Sequence, residues 1–268
     1  MTLPRTSFGS IKLPHMVQIL LVALVSFIAA AMNSIAGGGT FITFPTLSGI
    51  LGSDKLANMT STIGLWPGSA ASVVAAREDL KAVPRRMLLF FAAISLLGGM
   101  LGATLLLHTS DHSFKLAVPW LLAFATIIFA FSRPIAQWAG RKHGDRSRKW
   151  TLLVGAIQLA VAIYGGYFGA GIGVLMLAGL SFAGLDHLNQ MNALKVFLAT
   201  LINGVGSITF LIFGHIDWKI AAVMAVVSTA GGFLGMAWAR KVKQPVLRAI
   251  ILAVGIGLTA AYFWKNYR

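Results

Sequence analysis

The chain contains no cysteine among its 268 residues. That excludes a disulfide framework, thiolate catalysis and any zinc site built on sulfur. Charge is scarce too: only 11% of residues are Asp, Glu, Lys or Arg, against about 25% in soluble domains. An ordinary cytosolic enzyme, a disordered tail and a small secreted module are all excluded by that figure. Acidic residues are the rarest charged class, 7 against 22 Lys and Arg, for a net charge of +15. In a soluble protein such an excess would suggest nucleic acid. Here 57% of residues are hydrophobic and mean hydropathy is +0.80. The surplus is therefore read as the positive-inside rule at work, with the lipid bilayer and not nucleic acid as the partner. No phosphate-binding signature exists either, since neither glycine run contains Gly-Lys-Ser/Thr nor follows a strand in an α/β unit.

Hydropathy instead predicts an all-α polytopic membrane protein. A spanning helix needs about 20 mostly apolar residues, and eight stretches qualify: about 15–35, 56–76, 87–107, 116–138, 150–170, 188–213, 218–239 and 246–264. Two shorter apolar pieces, about 40–51 and 172–183, follow glycine clusters and read as half-helices or re-entrant segments. The first run resembles a signal peptide, but it is long and leads straight into more apolar sequence, so it is read as a retained helix. With both termini cytoplasmic, 15 Lys and Arg fall inside, including Arg77, Lys81, Arg85, Arg86, six in 133–150, Lys219 and Lys265. Arg240, Lys241 and Lys243 disagree, facing outward in that scheme. The expected location is a cell inner membrane.

The chain also repeats itself. An offset of 132 gives ten identities over positions 20–60, among them Gly37 and Gly39 on Gly169 and Gly171, and Asp54 on Asp186. One further residue of offset brings Gly98-Gly99 and Gly102 onto Gly231-Gly232 and Gly235. A nearly constant offset predicts two four-helix repeats, 1–132 and 150–268, each with a glycine-broken first helix, joined by a basic linker over 133–149. Parallel and inverted repeats both occur in transporters, with substrate held between them; the sequence leaves that choice open.

Candidate chemistry gathers at the two breaks. Asn33-Ser34-Ile35-Ala36-Gly37-Gly38-Gly39-Thr40 and the stretch from Gly165 through Gly169, Gly171 and Gly173 interrupt apolar sequence. Irregular backbone at membrane depth is tolerated only where it lines a cavity or is buried in protein. Where the helix restarts, free N–H groups and the positive dipole end favour an anion. Lys195 lies within a helical stretch, costly in lipid unless it meets a cavity or a partner, and Asn192 and Asn203 share nearly the same helical face. Asn58, Thr60, Ser61 and Thr62 offer neutral donors at similar depth in the first half. Asp54 and Asp186 read as N-caps, with a proton-coupling role for Asp186 and His187 as the alternative. No His or carboxylate set has metal-ligand spacing, and neither a metal nor a cofactor is expected.

The Asn33–Pro45 segment, its repeat 165-GGYFGAGIGVLML-177, Asn192-Ala-x-Lys195 followed by Asn203, and 214-GHIDWK-219 ahead of Gly231-Gly-x-x-Gly235 resemble the sulfite exporter TauE/SafE family. The resemblance runs along essentially the whole chain. It implies an inner-membrane transporter that moves small sulfur-containing anions, sulfite or organosulfonates, generally outward. The site residues expected on this basis are Asn33, Ser34, Gly37–Thr40, Asn58, Gly169, Gly171, Gly173, Asn192, Lys195 and Asn203, and alternating access is expected between the two halves. The rival readings are an accessory membrane subunit, an intramembrane enzyme or a passive anion channel. Small-xxx-small pairs such as Gly98–Gly102 suit packing within one chain or in a homo-oligomer.

Overall fold

The computed structural model describes residues 14–140, 148–183, 185, 187–239, 241 and 244–267. Every regular element among them is an α-helix: α1 (His15–Ile35), α2 (Thr40–Leu51), α3 (Asp54–Ala75), α4 (Arg77–Lys81), α5 (Arg85–His108), α6 (Asp111–Gly140), α7 (Arg148–Tyr167), α8 (Ile172–Leu180), α9 (Leu188–Phe213), α10 (Trp218–Trp238) and α11 (Gln244–Tyr267). Seven of these, α1, α5, α6, α7, α9, α10 and α11, are long and apolar enough to cross a membrane, and α2 is a shorter apolar helix. The chain is an all-α polytopic membrane protein. The eighth expected span, α3, has the length but not the composition, because Asn58, Thr60, Ser61, Thr62, Ser69 and Ser72 lower its hydropathy. It tolerates them because α1, α2, α9 and α10 pack around it and bury Asn58, Thr60, Ser61 and Ser72.

Side-chain-free positions fix how the helices run. Gly64 and Gly68 of α3 lie against Met224 and Ser228 of α10, while Phe27 and Ala31 of α1 meet Gly231 and Gly235. Helices α1, α3 and α10 are therefore parallel neighbours. Gly98 and Gly102 of α5 meet Ala162 and Ile163 of α7, and Gly99 meets Ile202 of α9, which makes α5, α7 and α9 a second parallel set. In lipid, hydrophobicity drives no association between helices, so close backbone approach has to supply the contact energy. A Cβ added at Gly232 would lie 2.0 Å from the Gly68 carbonyl oxygen, and one at Gly166 2.2 Å from that of Gly99.

Helices α1 and α7 are each followed by a short helix, α2 or α8, that runs back alongside. Ile50 and Leu51, ending α2, line one cavity with His15 and Gln18 at the start of α1. Trp150 Nε1, near the start of α7, donates to the Phe182 carbonyl just past α8 (3.1 Å). Both pairs are helical hairpins that return to the face they entered, and they enter from opposite faces. At 1.5 Å per residue α2 is about 18 Å long and α8 about 13 Å, together about the 30 Å of a hydrocarbon core. Their tips touch inside it: a Cβ on Gly37 would sit 2.9 Å from Gly173 Cα.

The hairpins change the sidedness expected from hydropathy. The Asn266 side chain donates to the Lys115 carbonyl (2.7 Å), and Lys55 Nζ to that of Thr109 (2.7 Å). The end of α11 thus lies on the same face as the start of α6 and the starts of α1 and α3. Arg248 donates to the Phe129 and Ala130 carbonyls (2.8 Å each), placing the start of α11 with the far end of α6. The ends of the described chain, Pro14 and Tyr267, share one face, but the basic stretches 77–86 and 133–149 join helix ends on the other, not alongside the termini and Lys219 as expected. A hairpin adds no crossing, so counting α1 as a single span inverts α3, α5, α6 and α7, and counting α7 as a single span cancels that inversion for α9, α10 and α11. The Asn266 and Arg248 bonds have a second role. Pro119 and Pro134 cannot donate to the carbonyls of Lys115 and Ala130 four residues earlier, and α11 satisfies both.

A Gly232→Val variant should lose the α3–α10 contact, lowering the thermal midpoint of the purified protein by the equivalent of about 1–3 kcal/mol or more. Gly257→Ala, where a Cβ meets nothing within 4 Å, should leave the midpoint unchanged in the same detergent melt.

Candidate functional site

Helices α1 and α7 each end at a buried turn where the chain reverses, and their last carbonyls have no partner within the helix. An unsatisfied backbone group there costs several kcal/mol, so the surrounding helices supply donors. At the end of α1, Lys195 Nζ of α9 donates to the carbonyls of Asn33 (3.0 Å) and Ser34 (3.2 Å). The Asn192 amide adds a bond to the Ser34 carbonyl (3.1 Å). A cation suits that place, since a helix C-terminus carries partial negative charge. At the end of α7 the Asn58 amide of α3 donates to the Tyr167 carbonyl (3.1 Å). Tyr164 Oη holds the turn by donating to the Ala170 carbonyl (2.8 Å).

Both turns use left-handed glycines, Gly169 and Gly171 in the second. In the first, Gly37 and Gly38 have φ of +82° and +91°, a region that glycine enters without a Cβ penalty. Asn33 closes that first turn, its Oδ1 accepting from the Gly39 N–H at 2.7 Å. The Asn33 side chain therefore caps α2 while its own carbonyl holds Lys195.

Between the two tips, α3 and α9 leave a narrow slot of about 30 Å³, room for a water or two. Of the residues singled out from sequence, Asn33, Ser34, Gly37, Thr40, Gly169, Gly173, Lys195 and Asn203 line it. So do Ser61, Thr62, Leu65, Ser69 and Ser72 of α3, together with Phe168, Val196 and Ala199. Lys195 is the one ionisable residue in that lining, and it is 1% exposed. Ser69, Ser72 and Phe168 were not singled out from sequence, although Ser61, Leu65, Ser69 and Ser72 recur at helical spacing and could have marked one face of α3.

Other expected site residues lie outside the slot. Asn58 and Asn192 cap the helix ends just described, and neither is among the lining residues. Gly38 packs toward Ile251 and Gly171 toward Ala125 and Phe41. Ser34 does line the slot, but its hydroxyl is held by the Ala30 carbonyl (2.8 Å), the Gly232 carbonyl (3.0 Å) and Ser72 Oγ (2.6 Å). His187 occupies the N-cap of α9 and is exposed; Asp186 lies outside the described residues. Asp54 opens α3 and pairs with Ser48, while Ser53 supplies the N-cap bond.

Phe168 separates the slot from the face that carries the termini. Its ring packs on Phe44 of α2 (5.2 Å between centroids), Phe114 of α6 (6.0 Å) and Tyr164 (6.2 Å), and Phe44, Phe114 and Phe168 are all buried.

Comparison with known proteins gives this geometry its context. The family model described as Sulfite exporter TauE/SafE matches residues 22–262. The chain belongs to the TauE/SafE family. A probable membrane transporter protein of Haemophilus influenzae is 30% identical over 249 residues, covering 88% of this chain and 91% of the relative. The probable membrane transporter protein ORF9 of a Sinorhizobium species is 30% identical over 261 residues, covering 92% and 93%. The probable membrane transporter protein YfcA of Escherichia coli K12 is 24% identical, covering 91% and 88%. No solved structure matches. As a TauE/SafE member the chain is a membrane transporter of a bacterial family, and both glycine breaks, Lys195 and Asn203 fall within the matched region.

Removing the cap of α2 should be measurable. Asn33→Ala should lower the thermal midpoint by the equivalent of about 1 kcal/mol, the usual worth of an N-terminal cap. Asn33→Asp, which keeps an acceptor for Gly39, should recover most of that loss.

Proposed function

We propose that the chain is a secondary transporter exporting a small sulfur-containing oxyanion, of the sulfite or organosulfonate class, through the slot between α3 and α9. One observation carries the reading: Lys195 is the sole ionisable group lining a narrow slot at the meeting point of two broken helices. Its ammonium has three N–H donors, and two of them bond the end of α1. The third is left for a substrate oxygen, with Thr62, Ser69 and Asn203 as neutral partners. The description of the matched family names sulfite, which supports the chemical class.

In this proposal the two halves are inverted repeats. Each contributes a hairpin and then three crossings, so each begins and ends on opposite faces. Gly98, Gly99 and Gly102 of α5 meet α7 and α9, much as Gly231, Gly232 and Gly235 of α10 meet α1 and α3. The moving bodies are then not the two sequence halves. Helices α1, α3 and α10 form one unit and α5, α7 and α9 the other, because backbone-to-backbone contacts bind helices of different halves together. The slot runs along the seam between the units, where rocking would open it to either face. The face bearing 77–86, 133–149 and 240–248 takes fourteen of the 22 Lys and Arg and is assigned to the cytoplasm, which removes the disagreement over Arg240, Lys241 and Lys243. Both termini are then on the far side of the inner membrane.

Two experiments test this. In proteoliposomes Lys195→Ala and Asn203→Leu should each cut sulfite or methanesulfonate flux at least about tenfold at matched protein levels; unchanged flux in both ends the site assignment. For sidedness, the absence of cysteine gives a clean background. In intact cells with the outer membrane permeabilised, a membrane-impermeant thiol reagent should label Ser110→Cys and spare Lys81→Cys, and the reverse pattern would invert the topology.

A further inference from the structure

We propose that the slot selects singly charged anions over doubly charged ones of the same size. The proposal rests on the transporter reading above and deepens it, because it follows from an inventory of every charge at the site.

Four helix ends converge there. The C-termini of α1 and α7 each carry about −0.5 of an elementary charge, and the N-termini of α2 and α8 about +0.5 each. These contributions nearly cancel, so the breaks orient an anion without adding net positive charge. Lys195 supplies the one formal charge, and the remaining lining is neutral: hydroxyls, one free amide, backbone and apolar side chains. Ion pairs elsewhere do not reach the slot. Among the described residues Arg77 and Lys81 pair with Glu78 on exposed α4, and Lys55 caps the end of α5.

A monoanion on Lys195 gives a net-neutral pair. A dianion leaves one uncompensated negative charge in a slot with room for a water or two, where screening is weak and the penalty for an unpaired buried charge is heavy. Hydroxyls of Thr62 and Ser69 now donate to carbonyls of their own helix, those of Asn58 (2.9 Å) and Leu65 (3.4 Å). They can rotate toward an oxyanion, but they offer dipoles and not the second charge that a dianion needs. The substrate class that follows is a monovalent oxyanion: hydrogensulfite, or a sulfonate whose other end is uncharged. Sulfate and sulfonates bearing a second acid group are disfavoured.

The test compares methanesulfonate, a monoanion, with sulfate, a dianion of nearly the same size, at one neutral pH and constant ionic strength. Affinity is read from the ligand-dependent rise in the melting temperature of the full chain, and flux from proteoliposomes. Methanesulfonate is expected to bind at least about tenfold more tightly than sulfate. Ser69→Lys, which adds a second cation to the slot lining, should shift the ratio toward sulfate by a similar factor. Sulfate binding as tight as methanesulfonate in the unmodified chain overturns this proposal and leaves the transporter reading intact. Binding and flux of neither ion overturns the transporter reading and this inference with it. The wild-type comparison decides the question even where Ser69→Lys fails to fold.

Discussion

The ammonium of Lys195 against the last carbonyls of α1 is the contact on which the rest of the arrangement depends. A buried helix end has no water to finish its backbone hydrogen bonds, and α1 ends against α9. Without a donor from α9 the last carbonyls of that helix would be orphaned. The same contact brings a charge to a depth where charge is expensive. Stability and chemistry are thus joined in one side chain: the group that permits the break also electrifies the slot beside it.

The other half solves the same problem with a neutral group. Asn58 caps α7 as Lys195 caps α1, and Tyr164 ties the following turn. One charged and one uncharged cap leave a single net charge at the meeting point of the hairpins. Two lysines there would repel each other across tips in backbone contact, and two amides would leave the slot without a charge. The aromatic packing of Phe44, Phe114 and Phe168 adds a second asymmetry, since the α8 sequence Ile172–Leu180 contains no aromatic residue.

Glycine serves two unrelated physical ends in this chain. At Gly37 and Gly38 it provides backbone angles that other residues resist. At Gly68, Gly99, Gly166 and Gly232 it provides the absence of a side chain, which lets helices of different halves touch backbone to backbone. The second use holds α1, α3 and α10 together and α5, α7 and α9 together, and the slot lies where α3 of one set faces α9 of the other. A polar seam flanked by glycine-cemented units is a geometry suited to opening along one line.

Local chemistry alone determined the class and much of the element map. Helix bounds such as His15–Ile35, Thr40–Leu51 and Leu188–Phe213 follow from unbroken apolar runs and the glycines that interrupt them, and the motifs around Asn33, Lys195 and Asn203 carried the family. Lys195 was legible because a lone charge in apolar sequence needs a partner. Its partner was not, because a backbone carbonyl leaves no mark on the residue that bears it. The same holds for Asn58 and Asn192, whose amides serve helix ends far away in sequence. Ser69 and Ser72 passed unnoticed since small hydroxyls are unremarkable in a membrane helix until a second helix faces them. Sidedness, too, belonged to the tertiary structure. Whether a glycine-broken helix crosses or returns depends on what meets its tip, and here Gly37 meets Gly173, so both hairpins turn back: the first reverses α3, α5, α6 and α7 relative to the termini, and the second restores the direction of α9, α10 and α11.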